Sequence, residues 1–304
     1  MLNGIVPIVF VPFDTAGQID EAGLRRVVRF ELEGGADGIG INGFASESYK
    51  LTDPERLRTA QIVASENANQ VPLVIGIAAG STEAALAQMA DFKTLNPSAF
   101  MVLPPATMNY AANDLVKHYV TLADSSDTPI MVQHSPHIAQ YSHLELTMEH
   151  LAEMAQRSNG IQYFKIEGPG APERMRQLKS LIPDSVQLFG GVGGLSFIDE
   201  LDVGVAGVIP GVGFNEVFKQ AWGAWQAGDR AGVREVLMRH QALIQVVSGK
   251  GHEFSLHVRK QLAQRAGLIA CSHVRCPTLA PSAAEIAEVF RVADLFELRI
   301  SRRI

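Results

Sequence analysis

A lysine and a glutamate two residues apart, Lys165 and Glu167, are the strongest candidates for chemistry in the sequence. They stand in residues 160–168, a short apolar and aromatic run bounded by glycines, which predicts a buried strand. Alternate side chains of a strand share a face, so the amine and the carboxylate should lie side by side. Burial should lower the basicity of the amine. Such a pair can form an imine with a ketone and then move a proton next to it, whereas the alternative is a structural ion pair.

Two further segments carry polar groups. In residues 43–47, a glycine turn is followed by Ala45, Ser46 and Glu47, and its backbone N–H groups and hydroxyl can hold a substrate carboxylate. The alternative is a helix cap with Ser46 facing water. Residues 133–137 contain Gln133 and two histidines that could act as acids, bases or metal ligands. No third ligand is suggested near the histidines, so no metal site is expected.

These segments must be positioned by the alternating strands and helices that fill the chain to about residue 227. The apolar runs predict eight strands, at 4–10, 37–42, 73–78, 99–103, 130–133, 161–166, 186–189 and 207–209. Helical patterns lie at 20–33, 53–67, 81–95, 113–123, 143–156, 172–181 and 197–202, and another begins after Asn215. This repetition predicts an α/β fold of the TIM (β/α)8 barrel type, whose active sites lie at the C-terminal ends of the strands.

Glycine-rich loops follow the last two predicted strands. Residues 190–194 contain four glycines, and residues 209–213 contain two more. Glycine lets a backbone approach a ligand closely, so Gly190, Gly191 and Ile209 are predicted to contact substrate; the alternative is a flexible loop. Neither loop contains a lysine or arginine, which favours a neutral polyol or a carboxylate ligand over a phosphate.

Beyond the barrel the strands stop. We predict a barrel over residues 1–227 and a C-terminal helical extension over 228–304, packed on the barrel. Three helices are expected in the extension, at 229–247, 253–266 and 282–298. They carry more apolar positions than one packing face needs, which favours a subunit contact. Those positions are Val236, Leu237, Leu243, Ile244, Leu256 and Leu262.

The composition narrows the function classes. The chain has 304 residues, 47% of them hydrophobic and 19% charged, which is enough for a large core. A formal net charge of −6 gives no basic patch for nucleic acid or an anionic membrane. The two cysteines cannot form a disulfide framework, and the sequence begins with a strand pattern rather than a signal peptide, so a cytoplasmic location is expected.

Over nearly its whole length, the sequence resembles the dihydrodipicolinate synthase/N-acetylneuraminate lyase family of class I Schiff-base enzymes. The resemblance rests on residues 43–47 at the family's Gly-Thr-Thr-Gly-Glu turn, on Leu-Pro-Pro at 103–105, on Lys165 and on Gly-Val-Ile at 207–209. It implies that Lys165 forms an imine with a small 2-oxo acid and that the turn holds the acid's carboxylate. It further implies that no separate cofactor is needed and that the protein is a homotetramer, a dimer of dimers.

The departures from the family pattern bear on the reaction. The family's proton-relay tyrosine after strand five is replaced by Gln133, which cannot titrate, and the two threonines of the turn are Phe44 and Ala45. The aromatic residue that can reach a neighbouring subunit is Ala106. Within the family, residues 46–47, 131–133 and 163–167 resemble the subgroup that dehydrates 2-keto-3-deoxy sugar acids such as 2-keto-3-deoxy-L-arabonate.

The resemblance therefore implies a lyase in which a neutral Lys165 attacks the C2 ketone. Glu167 then removes the C3 proton and the C4 hydroxyl departs. Three alternatives remain open. One is a retro-aldol lyase or synthase of the dihydrodipicolinate synthase or N-acetylneuraminate lyase type, and another is a deaminase of hydroxypyrroline carboxylate. The third is a sensor that binds a 2-oxo acid without catalysis.

Overall fold

Eight parallel strands curl into a barrel in the computed structural model, which describes residues 1–302. The strands are β1 Gly4–Ile5, β2 Ile39–Ile41, β3 Leu73–Ile77, β4 Ala99–Val102, β5 Ile130–His134, β6 Ile161–Ile166, β7 Gln187–Gly190 and β8 Gly207–Val208. Their hydrogen-bonded order is β1-β8-β7-β6-β5-β4-β3-β2. The chain just after β1 closes the circle, since the Val9 N–H donates to the Gly40 carbonyl at 2.8 Å. The predicted TIM barrel is confirmed.

The first strand differs most from its prediction. Residues 4–10 were expected to be extended throughout, but regular pairing is limited to Gly4–Ile5. Pro7 has no N–H to donate and so interrupts the ladder. Single bonds continue the edge beyond it, including one of 2.8 Å from the Ile8 N–H to the Pro210 carbonyl.

A helix follows each strand and packs outside the barrel. These helices are α1 Glu21–Glu33, α2 Asp53–Asn67, α3 Thr82–Lys93, α4 Ala112–Asp124, α5 Met148–Arg157, α6 Ala171–Lys179, α7 Phe197–Val203 and α8 Asn215–Gln226. Most begin within two residues of the predicted position. The fifth was expected from residue 143 but begins at Met148, because the Thr147 hydroxyl accepts the N–H of His150 and caps the helix there.

Two apolar cores lie on the two faces of the sheet. The larger one fills the space between the strands and the surrounding helices, and the smaller one fills the barrel interior. Met131 and Tyr163 are paired in register across β5 and β6, and both belong to the inner core. Side chains alternate along a strand, so Lys165, two residues after Tyr163, also faces inward, at the C-terminal end of the barrel.

Three helices follow the eighth unit: α9 Arg230–Ser248, α10 His252–Ala266 and α11 Ala283–Ala293. The last was predicted to reach residue 298, but the chain leaves the helix after Ala293. α10 is fastened to the barrel top, where Lys260 pairs with Glu47 and donates to the His273 carbonyl at 2.9 Å. The division of the chain at residue 227 stays a prediction.

The apolar positions of the extension do not form the spare face that the sequence suggested. All six side chains are buried within this one chain, each 8% exposed or less. They pack into the larger core together with the barrel helices. The argument for a subunit contact from these residues is therefore wrong, because the extension uses them to attach itself to its own barrel.

Within residues 1–302, no helix combines the length and the apolar character that crossing a membrane requires. Both cysteines, Cys271 and Cys276, carry free thiols. The cytoplasmic location stays a prediction.

Candidate active site

Four polar side chains form a two-by-two array at the C-terminal ends of β5 and β6. Gln133 is paired in register with Lys165. The Glu167 N–H donates to the His134 carbonyl at 3.0 Å, which extends the ladder beyond the strands. Because side chains alternate along each strand, Gln133 and Ser135 lie on the same inner face as Lys165 and Glu167. All four are buried.

The Glu167 carboxylate is the centre of this array. Its Oε1 lies 3.2 Å from Lys165 Nζ and accepts the Val192 N–H at 3.0 Å. Its Oε2 accepts from Gln133 Nε2 at 2.7 Å and from the Ser135 hydroxyl at 2.6 Å. Desolvation alone would raise the pKa of Glu167, but the Lys165 charge and the Ser135 hydrogen bond outweigh it and lower the pKa to about 2. The carboxylate is therefore ionised throughout the physiological range.

The lysine therefore lies in an ion pair with the carboxylate that the period of two placed beside it. An ammonium cannot attack a ketone, so its proton must leave before the imine forms. Glu167 Oε1, at 3.2 Å, is within reach of that proton. The two side chains thus place an amine beside a carboxylate in a buried ion pair.

A cavity opens directly above the pair. Of the residues predicted to bind substrate, Ala45 and Ile209 line it together with Lys165 and Glu167. Gln133 reaches the site through its hydrogen bond to Glu167. Several further residues line the cavity although the sequence did not indicate them as substrate-binding: Phe44, His137, Val192, Gly193, His252 and Arg259.

Ser46 and Glu47 lie behind the cavity wall rather than in it. The Ser46 hydroxyl donates to the Val9 carbonyl at 2.7 Å. The Glu47 carboxylate pairs with Lys260 and accepts the Arg275 N–H at 3.1 Å. These bonds hold the turn at Phe44–Ser46 against the first strand and α10, in place of the direct substrate contacts that the sequence predicted. Both side chains are fully occupied by the fold.

The predicted glycines after β7 have a similar supporting position. A Cβ at Gly191 would overlap Glu167 Oε1, and a Cβ at Gly190 would overlap the Glu200 carboxyl. The absence of side chains therefore makes room for two buried acids, whereas the prediction was room for a ligand. The neighbouring Val192 donates its N–H to Glu167, and Gly193 lines the cavity.

Gly191→Ala is expected to lower kcat/KM about a hundredfold, because the added methyl displaces the Glu167 carboxylate from Lys165 and catalysis is sensitive to shifts of this size. Steady-state kinetics on the variant measures the effect. Gly223→Ala in α8 is the matched control, since among the described residues no atom outside the adjoining helix backbone lies within 4 Å of the added Cβ. Unchanged kcat/KM in Gly191→Ala would contradict the packing described here.

Glu200 is a second buried acid beside the site. It lies on α7, and its Oε2 has no hydrogen-bond partner among the described residues. Burial raises the pKa of Glu200 to about 8, and the charge of Glu167 adds to this effect. The group is therefore protonated at neutral pH while Glu167 is ionised, so the two acids have opposite states.

The raised pKa of Glu200 predicts a pH dependence of stability. The folded protein keeps this proton up to about pH 8, whereas the unfolded chain loses it near its ordinary value of 4.5. Between these two pH values the folded state binds more protons than the unfolded chain. The contribution of Glu200 to the free energy of unfolding therefore falls as the pH rises. Glu200→Gln should flatten the decline, as measured by denaturant unfolding between pH 5 and 9. Burial also raises the pKa of Glu31 to about 8, so part of the decline in stability with pH should remain in the variant. An identical slope in the variant would refute the assignment.

The two histidines after β5 occupy different positions. His134 is buried outside the cavity lining, and burial lowers its pKa to about 4. His137 lines the cavity, and burial lowers its pKa although the charge of Glu167 opposes the shift. Across residues 1–302, no three His, Cys, Asp or Glu side chains are grouped as a metal site.

Ser135 shows which signal in the sequence was missed. It lies two residues after Gln133, the same spacing that identified Glu167 from Lys165. The period of two along adjacent strands would have placed it in the site. His252 and Arg259 are different, because they reach the cavity from α10 and nothing near them in the sequence indicates the barrel top.

Comparison with known proteins identifies similar sequences and the same fold. The sequence profile of the Dihydrodipicolinate synthetase family matches residues 1–293. An L-2-keto-3-deoxyarabonate dehydratase from Azospirillum brasilense is 29% identical over 304 residues, which cover 98% of this chain and 96% of the relative. A 4-hydroxy-tetrahydrodipicolinate synthase from Shewanella baltica is 27% identical, with coverage of 91% and 92%. The crystal structure of dihydrodipicolinate synthase from Rhodopseudomonas palustris superposes with a TM-score of 0.87 at 20% identity, covering 97% and 98% of the two chains, and thus shares the fold.

Proposed function

The chain belongs to the dihydrodipicolinate synthetase family, and within it we propose that the protein dehydrates a 2-keto-3-deoxy sugar acid through an imine on Lys165. The family and the dehydratase relative identify a lyase of the class I aldolase superfamily. The observation that carries the choice of reaction is the ionised Glu167 carboxylate, 3.2 Å from Lys165 Nζ. A base at this distance from the imine nitrogen is suited to the adjacent carbon.

The proposed steps balance without an outside reagent. Glu167 takes a proton from Lys165, and the free amine attacks the C2 ketone. The carbinolamine hydroxyl takes that proton back from Glu167 and leaves as water, which gives a protonated imine. Glu167 takes a proton from C3, which gives the neutral enamine. The enamine expels the C4 hydroxyl, which takes the proton from Glu167 and leaves as water. Hydrolysis of the resulting imine frees Lys165 and a product that retains every carbon of the substrate.

The low pKa of Glu167 is compatible with its proposed role as a base. In the resting site the Lys165 charge is the main influence that opposes desolvation and keeps the carboxylate ionised. Removal of the C3 proton neutralises the imine, so that positive charge disappears in the same step. The proton affinity of the carboxylate therefore rises as the proton arrives.

The substrate's C1 carboxylate is proposed to bind at the turn Phe44–Ser46. Phe44 and Ala45 line the cavity, and their side chains carry no charge or hydroxyl. The backbone of the turn is thus the polar surface that this part of the wall offers. Ser46 and Glu47 support the turn from behind, and Ile209 supplies apolar packing elsewhere in the cavity lining.

Retro-aldol cleavage is less well supported because it needs a base at the C4 hydroxyl. The described residues that line the cavity include no tyrosine. Gln133, at the position of the family's relay tyrosine, cannot titrate and donates its amide N–H to Glu167. The arrangement therefore favours loss of water over cleavage of the C3–C4 bond.

The test is a panel of 2-keto-3-deoxy acids, including 2-keto-3-deoxy-L-arabonate, with products identified by mass spectrometry. Dehydration gives an oxo acid lighter by one water and with all carbons retained. Pyruvate plus an aldehyde as the main products would contradict the proposal and favour retro-aldol cleavage. Failure of borohydride to trap pyruvate on the protein would contradict a Schiff-base enzyme altogether and leave the 2-oxo acid sensor.

We expect the protein to assemble as a homotetramer, as its family resemblance implies. Large apolar side chains remain exposed on the single chain, among them Met108 at 66%, two residues after Ala106. The family's aromatic residue that can reach a neighbouring subunit is Ala106 in this chain, so each active site is expected to be complete within its own subunit. Static light scattering at micromolar concentration should give four times the mass of one chain, and the mass of a single chain would refute the assembly.

A further inference from the structure

Arg259 is a buried cation at the cavity that the proposed reaction does not use. It lies on α10, is 5% exposed and lines the cavity beside the loops that follow β7 and β8. A Cβ at Gly193 would come within 3.0 Å of Arg259 Nη2, and one at Gly211 within 3.0 Å of its Nε. The guanidinium therefore lies directly against the backbones of both glycine-rich loops.

The hydrogen bonds of this guanidinium go to neutral groups. Its Nε donates to the Ser255 hydroxyl at 3.1 Å, its Nη2 to the Ser248 hydroxyl at 3.1 Å, and its Nη1 to the Val212 carbonyl. The described residues place no carboxylate in salt-bridge contact with it. Further N–H groups of the guanidinium remain available.

Glu31 is the acid that interacts electrostatically with Arg259, but it does not neutralise the guanidinium. The Glu31 carboxyl accepts the Gly213 N–H at 3.0 Å. Burial raises the pKa of Glu31 to about 8, so its carboxyl is protonated at neutral pH. Burial also lowers the pKa of Arg259, to about 10, which leaves the guanidinium charged. A buried charge without a partner is costly, and buried ions in proteins are normally paired.

The same face of α10 presents other polar groups to the cavity. His252, Ser255, Leu256 and Arg259 are spaced as i, i+3, i+4 and i+7, which places them on one side of a helix. All four line the cavity. Among the described residues, His252 Nε2 is buried without a hydrogen-bond partner. This helix face thus presents a guanidinium, a hydroxyl and an imidazole, which together could bind an anion in the cavity.

We propose that Arg259 binds a second anionic group, a carboxylate or a phosphate, at the end of the substrate farthest from the keto carbon. This inference rests on the proposed function and narrows its substrate class to 2-keto-3-deoxy acids with an anionic terminus. The C1 carboxylate has its own place at the turn Phe44–Ser46. Among the described residues, Glu167 is paired with Lys165, whereas the guanidinium of Arg259 bonds only Ser255, Ser248 and Val212. It also supplies the positive charge that the two glycine-rich loops lack in the sequence.

The test compares 2-oxo acids that differ only in the charge of the far end. 2-Oxoglutarate is matched with 2-oxopentanoate, and 2-oxoadipate with 2-oxohexanoate, with half-saturation measured by borohydride trapping and intact mass. The wild-type protein should prefer the diacid of at least one pair by about 10- to 100-fold, as hydrogen bonds to a charged group allow. Arg259→Gln should lose that preference, and Arg259→Lys should keep part of it. Arg265→Gln, on the same helix but outside the cavity, should keep all of it.

Pyruvate separates this role from the alternatives. Its only carboxylate is C1, so pyruvate should be trapped equally by the wild type and Arg259→Gln. Equal weakening of pyruvate and the diacids would overturn the proposal and assign Arg259 to C1 or to the fold. Comparing the turnover of 2-keto-3-deoxy-6-phosphogluconate with that of 2-keto-3-deoxygluconate tests whether the anionic group that Arg259 binds is a phosphate rather than a carboxylate. No anionic preference of the wild type in any pair would overturn the inference even if Arg259→Gln fails to fold.

Titration calorimetry on the same pairs needs no imine and no turnover. It therefore distinguishes a failure of the proposed dehydration from a failure of the anion site. Preferential binding of the diacids without any dehydration would retain the role of Arg259 and discard the reaction.

Discussion

Replacing Lys165 with alanine is expected to abolish turnover, with kcat lower by about 10⁴-fold or more, because the imine route disappears. The same change removes the charged partner of Glu167, whose carboxylate lies 3.2 Å from Lys165 Nζ. Val192, Gln133 and Ser135 still donate to that carboxylate. Because those donors remain, we expect a loss of about 1–3 kcal/mol in the free energy of unfolding rather than loss of the fold.

Lys165→Arg separates chemistry from stability. A guanidinium keeps the positive charge and the pairing with Glu167, but it stays protonated and cannot form the imine. The free energy of unfolding of Lys165→Arg should therefore be closer to the wild-type value than that of Lys165→Ala. Both variants should be equally inactive. Intact mass after borohydride reduction with pyruvate should show an adduct on the wild type and on neither variant. Near-normal turnover in either variant would end the Schiff-base assignment.

The proximity of Lys165 and Glu167 could be predicted from the sequence because its signal is local. Lys165 and Glu167 belong to one strand, so the period of two was sufficient to place them together. The barrel was predictable for the same reason, since strand composition and helix caps such as Thr52 and Ser81 act within a few residues. The exception among the strands was the first, where Pro7 ends the regular pairing.

The other parts of the site depend on partners that are distant in the chain. Ser46 was expected to contact substrate, but its hydroxyl is taken by Val9, 37 residues away. Glu47 is taken by Lys260, 213 residues away. Glycines 190 and 191 were interpreted as room for a ligand, whereas Glu200 and Glu167 fill that room. A residue type shows what a side chain can bond to, but the competition between ligand and fold is decided by tertiary packing.

The position of Arg259 also depends on tertiary packing, and it changes the ligand charge that the sequence led us to expect. Neither glycine-rich loop contains a basic residue, which favoured a neutral or carboxylate ligand. The charge reaches those loops from α10, a helix that Lys260, Arg259 and buried apolar side chains attach to the barrel top. The charge of a loop's own residues is thus an incomplete guide to the charge of its surroundings.

Glu167→Gln is expected to reduce dehydration by about a hundred- to ten-thousandfold while the imine still forms, because the amide cannot accept the C3 proton. The network can accommodate the amide without loss of the fold. Gln133 Oε1 has no hydrogen-bond partner among the described residues, so a flip of the Gln133 amide lets that oxygen accept from the new N–H. The Ser135 hydroxyl can rotate to do the same.

Glu200→Gln is the matched control for this change. Glu200 is also a buried glutamate near the site, but its raised pKa of about 8 keeps it protonated at neutral pH, and a glutamine resembles that neutral form. Dehydration should therefore be nearly unchanged in Glu200→Gln. The comparison isolates the effect of losing an ionised carboxylate from the effect of placing an amide in a buried site.

Two measurements on bound pyruvate determine whether Glu167 is the base or a structural partner. Borohydride trapping reports imine formation, and exchange of the C3 hydrogens with deuterated water reports proton removal. If Glu167 is the base, Glu167→Gln should trap pyruvate readily but exchange its C3 hydrogens slowly. If Glu167 only pairs with Lys165, the variant should trap poorly and exchange normally once bound, since the missing carboxylate then affects the amine alone. The second pattern would leave the proton acceptor to be sought among the other groups that line the cavity, of which His137 is the nearest in sequence to the array.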